Sequence, residues 1–142
     1  MFSGEYLNSI DAKGRMIVPS KLRDGLGDKF MITKGLEKCV LLMTMENFEK
    51  IADKIMQSSL TNIDAQALAR FFIGGAVEGE FDSQGRILMP QNLREYGGMV
   101  KEIKTIGILN RIEIWDKSNY EEYSNLNFTP DAFKERFANF II

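Results

Sequence analysis

At 142 residues, 44% of them hydrophobic, the chain can bury one modest core, which excludes anything beyond one compact unit or two very small ones. No apolar run reaches the length of a membrane span, no charged-then-apolar leader opens the chain, and a single cysteine, Cys39, excludes an internal disulfide. The net charge of −2 excludes a phosphate-attracting surface spread over the whole molecule, but residues 1–38 carry seven basic against five acidic side chains, so any such attraction is local.

Residues 6–10 read as a short strand that runs into Asp11-Ala12-Lys13-Gly14-Arg15. Asp at the first and Gly at the fourth position suit a type I turn closed by a left-handed residue, a common hairpin connection in which Gly forms a bulge. Arg15 then opens a returning strand, and Met16-Ile17-Val18 suits a short strand buried on both faces. Pro19 stops that strand, and its fixed φ suits the start of a short helix, which Gly25 and Gly27 end. Residues 30–33 are expected as a strand, residues 34–38 as a polar connection, and residues 39–43 as a second strand with Cys39 buried in it, in a reducing cytoplasm. Thr44 is a predicted cap for a helix to about Met56, with Phe48, Ile51, Ala52 and Ile55 at helical spacing. Thr61 is a predicted cap for a connecting helix. Ala65, Leu68, Ala69 and Phe72 line one side of it and Ile63, Ala67 and Phe71 the other, so it is expected to be packed between two units.

The same order then returns. Asp82-Ser83-Gln84-Gly85-Arg86 repeats the Asp-x-x-Gly-Arg spacing seventy-one residues later and leads through Ile87-Leu88-Met89 to Pro90. Residues 10–24 and 81–95 are identical at six of fifteen positions in one ungapped register, which marks an internal duplication. At an offset of seventy-two, residues 103–106, Gly107 and residues 112–115 match the first strand pair, and Asp116 is a predicted cap for a helix carrying Tyr120 and Tyr123. Thr129-Pro130 suits the cap and first position of a last helix, with Phe133, Phe137, Phe140 and Ile141 on one face. That amphipathic tail either packs on its own subunit or covers a neighbour, and a subunit contact is the expectation. The organisation is α+β, with two like units at 5–47 and 76–119, a helical connector at 48–75 and a helical tail at 120–142.

Among candidate functional residues, Arg15 and Arg86 stand first. A guanidinium can bind phosphate or clamp the two acceptors of a guanine edge, and the plainer role is an ion pair with Asp11 or Asp82 in the same turn. Lys13 at the tip can touch phosphate without reading sequence or be merely solvated, and Gln84 can read adenine or simply occupy the turn. Asp11 and Asp82, with Gly14 and Gly85, are expected to form the turns. Arg23 and Arg94 can be second-tier phosphate contacts, but pairing with Asp24, Asp28 or Glu95 is the expectation. A catalytic pair of Asp11 and Asp82 is disfavoured, because the neighbouring Arg and Lys would hold both ionised. The chain has no histidine, no metal-ligand cluster and no glycine-rich phosphate loop, so neither enzyme activity nor a cofactor or metal is expected.

These tandem units, carried by Asp11-Ala12-Lys13-Gly14-Arg15 with Met16-Ile17-Val18-Pro19, by Asp82-Ser83-Gln84-Gly85-Arg86 with Ile87-Leu88-Met89-Pro90, and by residues 107–115, resemble the MraZ-type members of the SpoVT–AbrB superfamily. The similarity spans roughly residues 4–123. It implies two AbrB-type swapped-hairpin β-barrel halves interleaved in one chain. It also implies a sequence-specific, cytoplasmic and nucleoid-associated transcription regulator that assembles as a homo-oligomeric ring. The implied partner is double-stranded DNA, as short repeats upstream of the regulator's own operon, the division and cell-wall gene cluster. No small-molecule substrate or membrane is implied. In that family the Asp-x-x-x-Arg loops face the DNA, which points to Lys13, Arg15, Gln84 and Arg86. The alternative within the same fold is an antitoxin-like module whose C-terminal tail grips a protein partner.

Overall fold

The computed structural model describes residues 1–141; Ile142 and the side chains of Ser59 and Ile141 lie outside the described residues, and with Ile141 goes one position of the expected interface. In the first half, strand β1 (Glu5–Ser9) enters the first turn and β2 (Arg15–Ile17) leaves it. Helix α1 (Ser20–Leu26), strands β3 (Lys29–Lys34) and β4 (Val40–Thr44), and helices α2 (Met45–Ser59) and α3 (Ile63–Phe72) follow. The second half repeats the order as β5 (Val77–Glu80), β6 (Arg86–Leu88), α4 (Gln91–Gly97), β7 (Glu102–Ile108), β8 (Arg111–Asp116) and α5 (Lys117–Asn127). A helical tail opens at Pro130–Ala132, widens to a π-helix over Phe133–Phe137 and closes at Ala138–Ile141.

Neither half builds its own sheet. Six strands run in the order β1-β7-β8-β4-β3-β5, all pairs antiparallel, while β2 and β6 form a separate two-stranded ribbon. The first strand of each half is therefore hydrogen-bonded to the other half: β1 to β7, and β5 to β3. Where the halves meet, equivalent residues face each other, Met16 opposite Ile87 in the ribbon and Leu41 opposite Glu113 in the sheet. The duplication read from the sequence is thus a two-fold of the fold, with its axis through the two pairs that join equivalent strands, β2–β6 and β4–β8.

The two-residue period of β4 explains why the sheet is covered on both sides. Val40 and Leu42 join Met16, Leu22, Phe30, Ile87, Met89 and Leu93 in one core shared by the halves. Leu41 and Met43 point the other way, into a second cluster with Phe48, Phe72, Ile106 and Trp115 under the helices. Cys39 is buried in this second cluster, just ahead of β4, and burial pushes its thiol up, so it is protonated and unreactive at neutral pH.

Thr44 caps α2 by accepting from the Asn47 amide at 3.0 Å, Asp116 caps α5 through Asn119, and Thr129 caps the tail through Ala132 with Pro130 in the first turn. Three expectations need correction. Asn62, not Thr61, caps α3, its Oδ1 accepting from Asp64 and Ala65; a short amide side chain is the stronger cap, and it moves the start by one residue. Helix α2 also runs three residues past Met56, to Ser59. The third concerns α3, which is not enclosed on all sides. Phe72 is buried and stacks on Phe48, and Phe71 reaches Tyr96 of the other half, but Ile63 is 84% exposed. Lying beside α2 on the outside of the sheet, α3 has only one face to bury.

Candidate nucleic-acid interface

Each turn is held by one carboxylate. Asp11 Oδ1 accepts from the amides of Lys13 (3.0 Å) and Arg15 (2.9 Å), and its Oδ2 accepts from Arg15 Nε at 2.8 Å. Asp82 repeats the set on Gln84, Arg86 and Arg86 Nε at 2.9, 2.9 and 2.8 Å. The Gly14 amide closes the turn on Asp11 O, the Gly85 amide on Asp82 O, and the two glycines take φ of 90° and 75°, where a side chain is strained. These bonds favour the ionised carboxyl. The Arg15 amide first of all, helped by the Arg15 side chain and the Lys13 amide, holds Asp11 below the usual carboxylate range against desolvation, which is second in size only to that amide; Asp82 is held likewise, first by the Arg86 amide. With the folded value below the unfolded one, this support is in full force above the usual carboxylate range and fades only as pH falls through the depressed value.

An exposed pair of this kind contributes little stability. What it supplies is direction. The carboxylate engages Nε and leaves the two Nη groups of each guanidinium for another acceptor. Both arginines remain partly exposed, 38% for Arg15 and 27% for Arg86. The ion pair weighed against a functional role is therefore present, and it orients the arginine rather than consuming it.

The ribbon sets both arginines on one surface. Arg15 pairs with Leu88, Met16 with Ile87 and Ile17 with Arg86, so the period of two sends Met16 and Ile87 inward and Arg15, Ile17, Arg86 and Leu88 outward. The expectation that these strands are buried on both faces is corrected here. Met16, Val18, Ile87 and Met89 are at most 1% exposed, but Ile17 is 50% and Leu88 62% exposed. Among the described residues nothing covers the ribbon's outer face, which leaves these two side chains exposed.

Arg23 and Arg94 do not pair with Asp24, Asp28 or Glu95. Each crosses to the turn of the other half. Arg94 Nη1 donates to Ala12 O at 3.4 Å, and its guanidinium lies against Gly14, where a Cβ would meet Arg94 Cζ and Nε at 3.0 Å. Arg23 occupies the same place beneath Gly85. A backbone bond from Met89 N to Gly14 O, 2.7 Å, adds to the join. Each tip is thus braced from below by the opposite half. The Leu-Arg pair repeated in both copies was the available signal, but sequence gives no hint that the arginine reaches across. Lys13, Ser83 and Gln84 sit exposed at the tips.

On the opposite face of the large sheet an apolar cleft of about 650 Å³ is lined by Leu41, Met43, Phe72, Ile106, Trp115 and Phe128 among others, and the tail departs from its rim with Phe133 and Phe140 exposed. Among the described residues, no group of three or more His, Cys, Asp or Glu could hold a metal ion, and no helix is long and apolar enough to cross a membrane.

Fold and turns together define a tandem-repeat α+β protein whose halves share one antiparallel sheet and present paired arginine-bearing hairpin tips. A family model described as "MraZ protein, putative antitoxin-like" matches the chain twice, over residues 1–71 and 72–136. A transcriptional regulator MraZ of Acetivibrio thermocellus is 48% identical over 139 residues, covering 97% of each chain. One of Clostridium beijerinckii is 49% identical over 136 residues and 96% of each, and one of Desulforamulus reducens is 43% identical over all 142 residues and 98% of its own length. The chain belongs to the MraZ family.

Proposed function

We propose that this chain is a sequence-specific DNA-binding transcriptional regulator that recognises short direct repeats upstream of its own operon, the division and cell-wall gene cluster. One observation carries the reading: two Asp-ordered turns deliver Arg15 and Arg86 to the same outward face of a two-stranded ribbon. A ribbon of that width fits a major groove, and an arginine held through Nε can offer its Nη edge to guanine or phosphate. Lys13 adds a phosphate contact, and Gln84 at the matching place can address adenine. The names of the relatives agree with this role. The cross-half pairing of β1 and β5 agrees with two interleaved swapped-hairpin barrel halves. Footprinting on the DNA immediately upstream of the gene tests the reading. Protection is expected as evenly spaced short boxes; a footprint no stronger than on unrelated DNA would overturn it.

One subunit offers few cations, so it binds weakly alone. A closed homo-oligomer, a ring, sets several ribbons against successive boxes and raises affinity through effective concentration. In this reading the tail forms the subunit contact through Phe133, Phe137, Phe140 and Ile141; Phe133 and Phe140 are 52% and 89% exposed on the single chain. Deleting residues 128–142 is expected to lower the native mass to that of a smaller assembly and to weaken DNA binding. An unchanged mass would remove the tail from the interface. The same exposed phenylalanines favour a second reading, an antitoxin-like module whose tail grips a protein partner; a tail that proteases remove from the purified full chain without changing its native mass would favour it.

A further inference from the structure

Resting on the DNA-binding reading, we infer that Ile17 and Leu88 read thymine methyl groups, between and beside the two arginines. A large aliphatic side chain left half or more exposed on an otherwise well-buried strand needs a reason, and here it occurs twice, at two-fold-equivalent positions. Ile17 and Leu88 are 50% and 62% exposed, whereas their neighbours in the chain, Met16, Val18, Ile87 and Met89, are at most 1% exposed. The register puts Arg15 across from Leu88 and Ile17 across from Arg86, so one outward patch holds two guanidiniums on one diagonal and two aliphatics on the other.

Only one kind of occupant suits both diagonals. A protein surface that satisfied the arginines would bring carboxylates to tips already carrying Asp11 and Asp82. A floor of major-groove base edges brings guanine acceptors and thymine methyls side by side, and phosphates at its walls for Lys13. The spacing agrees. Residues i and i+2 on one strand lie about 7 Å apart, close to two base-pair steps of about 3.4 Å. Each strand of the ribbon would therefore read a guanine and, two steps away, a thymine.

The test uses the upstream DNA itself, amplified once with dTTP and once with dUTP, so that the two probes differ in the thymine 5-methyl alone. Wild-type protein is expected to bind the uracil probe at least about fourfold more weakly, the effect of removing one methyl from an apolar contact. An Ile17→Ala/Leu88→Ala variant should bind both probes equally, at the weaker level, with unchanged native mass. Because both side chains are exposed, folding should survive; Ile17→Thr/Leu88→Thr, which keeps strand-compatible residues, repeats the comparison if it does not. Equal binding of both probes by wild type, or discrimination persisting in the variant, would overturn the inference and leave the DNA reading standing. An altered native mass in the variant would overturn it too, by making the patch a subunit contact. Failure of wild type to bind either probe more tightly than unrelated DNA would instead overturn the DNA reading, and this inference with it.

Discussion

Replacing Arg15 and Arg86 together by alanine is expected to abolish repeat-specific DNA binding while leaving a folded protein of unchanged native mass. On the stability side, each arginine makes one exposed ion pair within its own turn, which contributes little, and the amide bonds to Asp11 and Asp82 remain. On the binding side, each bidentate guanidinium–guanine contact discriminates by about 1–3 kcal/mol, so losing two per subunit removes roughly 30-fold to 2 × 10⁴-fold before any multiplication over an assembly. Arg15→Lys separates charge from geometry. It keeps the cation, so binding to any DNA persists, but a point charge cannot grip two acceptors, so preference for the repeats should fall. Gel shifts on upstream and unrelated DNA, with native mass in parallel, read out all of this. A double alanine variant that shifts the upstream DNA at the wild-type concentration would eliminate the arginines as the reading groups.

What could be read ahead of the structure was whatever depends on neighbours in the chain. The Asp-x-x-Gly-Arg turns, and the caps at Thr44, Asp116 and Thr129, are decided within four or five residues, and each forms as expected. Asn62 displaced Thr61 for an equally local reason, the ranking of two adjacent capping candidates. Pairing across halves is a different matter. Three apolar residues in a row look alike whether both faces of the strand are covered or one; only the ribbon partner, seventy-one positions away, decides that Ile17 and Leu88 face outward. The reach of Arg94 to Ala12 has the same character, since nothing near Arg94 in the chain marks a carbonyl eighty-two residues earlier as its acceptor. Local chemistry was legible, and the surface on which it is displayed was not.

That division gives the second large effect, at a glycine with two separate reasons to be one. Gly14→Ala places a Cβ on a residue with φ of 90°, which costs about 1–3 kcal/mol by itself. The added carbon would also stand 2.8 Å from Met89 O and 3.0 Å from the Arg94 guanidinium. Met89 O belongs to buried backbone whose own amide is bonded to Gly14 O, so relief requires parting the turn from the opposite half. Such overpacking adds about 1–3 kcal/mol, for a total of roughly 2–6 kcal/mol. At roughly 3–4 °C per kcal/mol for a chain of this size, thermal unfolding should move down by about 6 °C or more. Gly27→Ala is the internal control, because its φ is 79° but the nearest atom to an added Cβ is Lys29 O at 4.0 Å, so it carries the strain without the collision. Gly85→Ala should fall between them, since its principal neighbour is the end of the Arg23 side chain, which can swing aside. Denaturation midpoints in the order Gly14→Ala, Gly85→Ala, Gly27→Ala, lowest first, are the expected result. Equal midpoints for Gly14→Ala and Gly27→Ala would mean that the tip moves freely over Met89 and Arg94, and that the opposite half does not hold the arginine-bearing turn in place.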